Sequence, residues 1–301
     1  MKVGCRLALT VWLLVMAASA PVTLLAQSTP RALYVSVLDD KGVPIADLGP
    51  TDVIVREDNV AREILTVTPA SDPMVIALLV DTSQASSNFI RDYRQALPAF
   101  INAVTGEDAG ARNLVSLIGI GERPTILTDF TADKAALLKG VDRVFAIPTA
   151  GTYLLDGIIE ISQGIKKREP ERAVIVALTS EGPELSNRTY QQVLEALHAS
   201  GAALHVIVIG SPVNRSQDRQ IALSRGTDET GGRYDTIFVS SGLEAKLKQV
   251  AAELTGQYRV TYSRPQSLIP PERIKIETTR PKATARGIPV NDSTRPSRER
   301  R

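Results

Sequence analysis

Met74-Val-Ile-Ala-Leu-Leu-Val-Asp81-Thr-Ser83 runs through seven apolar residues and stops abruptly on a carboxylate and two hydroxyls. Such a run has no polar face, so the strand it forms is buried on both sides, as in a parallel sheet covered by helices. Asp81, Thr82 and Ser83 then fall at the carboxyl end of that strand, in the crevice where open α/β sheets bind ligands. Oxygen ligands suit a hard cation and, through it, an acidic group on a partner.

Downstream, buried strands are expected at 113–120, 173–179, 203–209 and 234–239. Between them apolar residues recur at helical spacing. One set is Phe89, Tyr93, Leu97, Phe100, Ile101 and Val104, and another is Leu154, Leu155, Ile158, Ile159, Ile161 and Ile165. Tyr190, Val193, Leu194 and Leu197 form a third, and Leu243, Leu247, Val250 and Leu254 a fourth. Strands alternating with helices predict right-handed crossovers and an α/β fold, a doubly wound, mostly parallel sheet with helices on both faces. Pro124 to Phe130 predicts an extra strand at an edge, where proline is tolerated.

Upstream, residues 31–70 alternate strands and turns. Ala32–Leu38 reads as a strand and Asp39–Gly42 as a turn. Further strands start at Asp52 and Glu63, with Asp58-Asn59 turning between them. About forty residues are few for an independent fold, so this unit is expected to pack on the α/β domain. Late strands at 257–262 and 273–278 are expected to pair with it. The layout is then a signal peptide at 1–26, a small β unit at 27–72, an α/β domain at 73–263, a C-terminal strand at 264–279 and a basic disordered tail at 280–301.

The signal reading rests on Lys2 and Arg6, the apolar stretch Leu7 to Met16, and Leu24-Leu25-Ala26 before Gln27. The stretch is short for a membrane span, so no transmembrane span is expected after signal removal. Cys5 is the single cysteine, so the exported chain would have neither disulfide nor thiol nucleophile. Removing Lys2 and Arg6 leaves 33 basic residues against 33 acidic ones. Arg280 to Arg301 holds seven basic and two acidic residues, which suits a solvated tail or an anionic surface. Aromatic residues make up only 4%, which argues against a partner bound by stacking, nucleic acid included.

Three motifs resemble a known family: Asp81-Thr-Ser83-Gln-Ala85, Gly151-Thr152 heading a helix, and Ser180-Glu181-Gly182 after a buried strand. Together they look like a von Willebrand factor type A domain. Residues 37–45 and 52–59 resemble the opening of a secreted bacterial group in which this domain follows a short β unit. The resemblance implies a metal-ion-dependent adhesion site with Asp81, Ser83, Thr152 and Glu181 as ligands to Mg2+ or Ca2+. It also implies a protein partner whose acidic residue completes the metal shell. Two positions depart from the family pattern. Ala85 stands where a second serine is expected, and Glu181 where an aspartate is expected. Asp156, four residues past Thr152, would orient that threonine or complement the helix dipole.

Enzymatic signatures are missing. There is no Gly-x-Ser-x-Gly elbow and no Walker loop, and Gly119-Ile-Gly121 lacks a third glycine. His198 and His205 have no partnered nucleophile and read as structural. The expectation is therefore an exported, non-enzymatic protein-binding module. The alternatives are a structural envelope-associated protein without a metal site, and a metal-assisted hydrolase using Asp81 and Glu181. Asn187, Asn214 and Asn291 head Asn-x-Ser/Thr triplets, which matter only if the cell glycosylates exported proteins.

Overall fold

The computed structural model describes residues 28–106, 112–211, 216–266, 269, 271 and 273–290. The expected signal peptide, Asn214, Asn291 and the chain beyond Val290 lie outside the described residues. The described chain opens with β1 (Ser28–Leu38), β2 (Val53–Glu57), β3 (Val60–Arg62) and β4 (Ile64–Pro69). It continues with β5 (Met74–Val80), α1 (Ile90–Thr105), β6 (Leu114–Ile120), β7 (Pro124–Thr131) and α2 (Lys134–Val141). Next come α3 (Leu154–Arg168), β8 (Arg172–Ser180), α4 (Tyr190–Ser200), β9 (Ala202–Ile209) and α5 (Gln217–Glu229). Last are β10 (Arg233–Ile237), α6 (Leu243–Thr255), β11 (Tyr258–Pro265), β12 (Ile274–Thr278) and β13 (Thr284–Pro289).

Six strands form the central sheet in the order β10-β9-β8-β5-β6-β7. All neighbours are parallel except β6 and β7, which pair antiparallel with register shifts. The apolar runs divide between two cores because successive side chains on a strand point to opposite faces. Met74, Ile76, Leu78 and Val80 join Val174, Val176 and Leu178 on one face, under α1, α2 and α6. Ala77 and Leu79 join Ile175 and Ala177 on the other, under α3, α4 and α5. This is the doubly wound α/β arrangement the sequence predicts. Trimming a fully buried leucine such as Leu78 to alanine removes about 2–5 kcal/mol.

The two ends of the described chain build a β sandwich. One sheet runs β13-β1-β11-β4 and the other β12-β2-β3, around Leu33, Val35, Val37, Val53, Val55, Val260 and Tyr262. Asp58 and Asn59, at φ 48° and 68°, make the tight turn from β2 into β3. Two consecutive left-handed residues match the twist of a hairpin.

The structure differs from expectation in four places. Residues 284–289, expected inside a disordered tail, form β13 and pair with β1 from Leu33↔Pro289 to Leu38↔Thr284. The chain after Asp58-Asn59 first pairs with β2 as β3, then crosses to the other sheet as β4. The strand expected at 234–239 ends at Ile237, leaving Phe238 and Val239 exposed. Helices α2 and α5 were not among the expected helices.

The sandwich is joined to the central domain at the amino ends of the strands. Arg172, the first residue of β8, donates to Gln257 Oε1 (2.8 Å), to Asp72 O (3.3 Å) and to Leu254 O. Its guanidinium faces the Tyr34 ring at 5.1 Å, and Tyr34 Oη donates to Asp72 (2.8 Å). Gln257 Nε2 donates to Ser36 Oγ (3.1 Å). Arg286 of β13 donates to Gly232 O (3.1 Å), just ahead of β10.

Candidate functional site

Strand register builds the site at the opposite end. Val80, the last residue of β5, pairs with Leu178, while β8 runs on through Thr179 and Ser180. Asp81 therefore leaves its strand beside two hydroxyl residues of its neighbour, held by Asp81 N donating to Leu178 O (2.8 Å). Oδ2 of Asp81 accepts from Ser180 N (3.0 Å), Ser180 Oγ (3.0 Å) and Thr179 Oγ1 (3.2 Å). Oδ1 accepts from Ser83 N (2.9 Å). Thr152 Oγ1 lies 3.0 Å from Ser83 Oγ and 3.3–3.4 Å from both carboxylate oxygens. Asp81, Ser83, Thr152, Thr179 and Ser180 are all fully buried.

Thr152 reaches this cluster because its loop is pinned on both sides. Its N–H donates to Pro183 O (3.2 Å), and its carbonyl accepts from Leu185 N (2.8 Å). A Cβ on Gly151 would fall 2.2 Å from Leu185 Cδ1, so a larger residue there would have to displace the Leu185 side chain. Thr149 holds φ 66°, an uncommon conformation for a β-branched residue that costs about 1–3 kcal/mol. Gln84 Oε1 accepts from its N–H (3.2 Å).

A second line of hydroxyls runs behind the carboxylate. Ser86 Oγ donates to Ser180 Oγ (2.8 Å), which in turn donates to Asp81. The Ser86 proton is thus committed, and Tyr93 Oη, 3.2 Å away, is the donor to Ser86. Burial, then the negative charge of Asp81, push the Tyr93 phenol up, so it stays protonated and able to donate.

Arg219, on the first turn of α5, closes the cluster from the β9 side. It is 3% exposed. Its guanidinium donates to Ser180 O (2.8 Å), Thr179 Oγ1 (2.9 Å) and Gly182 O (3.1 Å). Its Nε lies 4.0 Å from Glu184 Oε2. Burial pushes the Glu184 carboxyl up, against the opposing pull of the Ser186 hydrogen bond and of Arg219. None of Ser180, Thr179, Ser86, Tyr93, Arg219 or Glu184 was singled out as a site residue from sequence. The one available signal was the pair of hydroxyls closing the β8 run.

Of the four expected ligands, the structure brings Asp81, Ser83 and Thr152 together. The backbone of Glu181 is held on the β9 side. Its N–H donates to Ile209 O (2.9 Å), and its Cβ and Cγ lie beside Gly210, at the end of β9. The β8 side chains on Asp81 are Ser180 and Thr179, one and two residues earlier. Ala85 packs against Gly182, where an added Cβ would fall 2.6 Å away. Among the described residues, no three His, Cys, Asp or Glu side chains gather as a metal-holding group. The donor set at Asp81 is thus one carboxylate and neutral hydroxyls, with that carboxylate already saturated by N–H and O–H donors and Arg219 close behind. Such a set fits a divalent cation poorly, since hard cations are held chiefly by carboxylates and carbonyls in an open shell.

The remaining candidates have local roles. Asp156 pairs with Arg188 (2.6 Å), and its N–H donates to Ser186 Oγ (3.1 Å). His198 lies 3.1 Å from Glu229. His205, on β9, is fully buried, and neither ring nitrogen has a hydrogen-bond partner among the described residues.

Residues 76–183 match the family model for the von Willebrand factor type A domain. No curated protein matches the sequence. Among solved structures, von Willebrand factor type A from Catenulispora acidiphila superposes with a TM-score of 0.52 at 12% identity, covering 88% of this chain and 66% of that one. Proximal thread matrix protein 1 from the mussel byssus gives 0.49 at 17% identity, covering 66% and 50%. The von Willebrand factor domain of the type V pili tip protein Mfa5 from Porphyromonas gingivalis gives 0.46 at 13% identity, covering 62% and 96%. This chain spans under two thirds of the Catenulispora and byssus proteins. At these identities the likeness is one of fold.

Proposed function

The chain contains a von Willebrand factor type A domain, and from that premise we propose that the protein is an exported, non-enzymatic protein-binding module that meets its partner at the carboxyl end of the central sheet. Domains of this family are generally interaction modules rather than enzymes. The observation that carries the reading is the contrast between a fully buried polar cluster and the apolar side chains that the same loops expose. Ile147 rests on the first loop through its N–H on Thr82 O (2.8 Å) and is 37% exposed. Leu185 is bonded to Thr152 and is 50% exposed. Phe238 and Val239, just past β10 at the same end of the sheet, are exposed too. Large apolar side chains exposed on neighbouring loops mark interaction sites.

On this reading Asp81, Ser83, Thr152 and Ser180 fix loop geometry, and the partner touches the rim. Recognition is by shape, apolar contact and loop carbonyls, without a metal bridge. A photoreactive side chain placed at Leu185 or Phe238 is expected to cross-link a protein in the native host. One placed at Val60, an exposed residue of the β unit, is expected to give none. Cross-links at Val60 alone would overturn the assignment.

A further inference from the structure

We propose that Arg219 is the resident cation of the carboxyl-end cluster, a positioning residue whose guanidinium keeps the loops at 81–87, 149–153 and 180–186 assembled with no divalent metal. The proposal goes beyond the binding reading and stands on contacts inside the free protein.

Three observations carry it. First, the guanidinium is buried and reaches three groups of one loop at once: Thr179 Oγ1, Ser180 O and Gly182 O. A planar fork can do this, whereas a spherical ion or an ammonium would gather its ligands around a point. Second, a single hydroxyl separates it from the buried carboxylate. Arg219 donates to Thr179 Oγ1 (2.9 Å), and Thr179 Oγ1 donates to Asp81 Oδ2 (3.2 Å). Third, it also faces Glu184, whose side chain is 1% exposed and whose Oε2 has no hydrogen-bond partner among the described residues. Glu184 forms an isolated bridge with Thr152, so this arm extends to the third loop. One positive group therefore faces both buried carboxylates, directly or through one hydroxyl. Glu181, the residue expected to supply a second metal-binding carboxylate, has its Cβ and Cγ beside Gly210.

Removing Arg219 should leave buried negative charge that an added cation can neutralise. Thermal unfolding of the full chain is compared in chelator and in millimolar MnCl2. Wild type is expected to melt at the same temperature in both. Arg219→Gln is expected to melt roughly 10 °C lower in chelator and to regain about 3 °C in MnCl2. The regain should vanish in Arg219→Gln/Asp81→Asn. Arg219→Lys, which keeps the charge and loses the fork, should be destabilised without any regain. If Arg219→Gln does not fold in chelator, recovery of its folding in MnCl2 is read in place of the regain. The proposal is overturned if wild type itself gains stability from MnCl2, or if Arg219→Gln loses stability and regains none. These readouts need no partner, so their failure leaves the binding assignment to be judged by the cross-linking.

Discussion

At the amino-terminal ends of the strands, Arg172 and Arg286 reach across two structural units, and Arg233 joins Arg286 from within the central domain. Arg172 ties β8 to the sandwich through Gln257 and Asp72, while Arg233 (3.3 Å) and Arg286 (3.7 Å) converge on the buried Glu253. At the carboxyl-terminal ends, one arginine serves loops of a single unit, and hydroxyls make most of the contacts. The difference is one of adjustability. Charged pairs between distant segments fix a joint in one geometry, because breaking any of them leaves buried charge behind. Hydroxyls donate and accept in several directions and exchange partners by rotation alone. The fold thus places its fixed polar joint where two units meet and its adjustable polar cluster where a partner would arrive.

Asp81→Ala tests the adjustable end most severely. It strips the acceptor from four donors at once and is expected to cost about 4 kcal/mol in urea unfolding. A loss under 1 kcal/mol would mean the cluster is dispensable. At the fixed end, Arg172→Met is expected to cost about 3 kcal/mol. It should also let the sandwich exchange amide hydrogens faster than the central sheet. Uniform exchange in both units would argue against a joint.

A pH series separates the two ends further. Burial, then the positive charges of Arg286 and Arg233, hold His205 down to about 3, with Asp235 pulling weakly the other way. The unfolded chain takes up a proton near pH 6.5 and the folded chain does not. Stability contributed by the neutral imidazole is therefore complete above pH 6.5 and lost progressively as pH falls toward 3. The loss at pH 5 is about 2 kcal/mol, and His205→Leu should flatten that slope. Thr152→Val is a smaller change. It is expected to cost about 1 kcal/mol and to weaken partner cross-linking at Leu185. The double substitution Leu185→Glu/Phe238→Glu should abolish cross-linking from Ile147 while stability stays within about 0.5 kcal/mol of wild type.

The sheet and the long helices were legible because burial on both faces leaves uninterrupted apolar runs, as in β5, β8 and β9, and amphipathic helices leave spaced ones, as in α1 and α3. Helix α5 was not. Its buried face is Arg219, Ala222, Leu223, Gly226 and Thr227, a set with no apolar periodicity, and with it the residue that closes the site was hidden. Asp81 and Ser83 were legible from residue type and position, and Thr152 from the family resemblance. Ser180 was passed over for Glu181 because the family pattern expects an acidic residue at 181, one position past the two hydroxyls that bond Asp81. Strand β13 was hidden by its Arg and Gly content, and its partner β1 lies at the far end of the sequence.

The most direct test is a crystal of the full chain soaked in MnCl2 and measured at a wavelength where manganese scatters anomalously. No anomalous peak is expected within bonding distance of Asp81, Ser83 or Thr152, with Arg219 still seated on Thr179, Ser180 and Gly182. A peak coordinated by Asp81, Ser83 and Thr152 would contradict a site closed by its own arginine and hydroxyls.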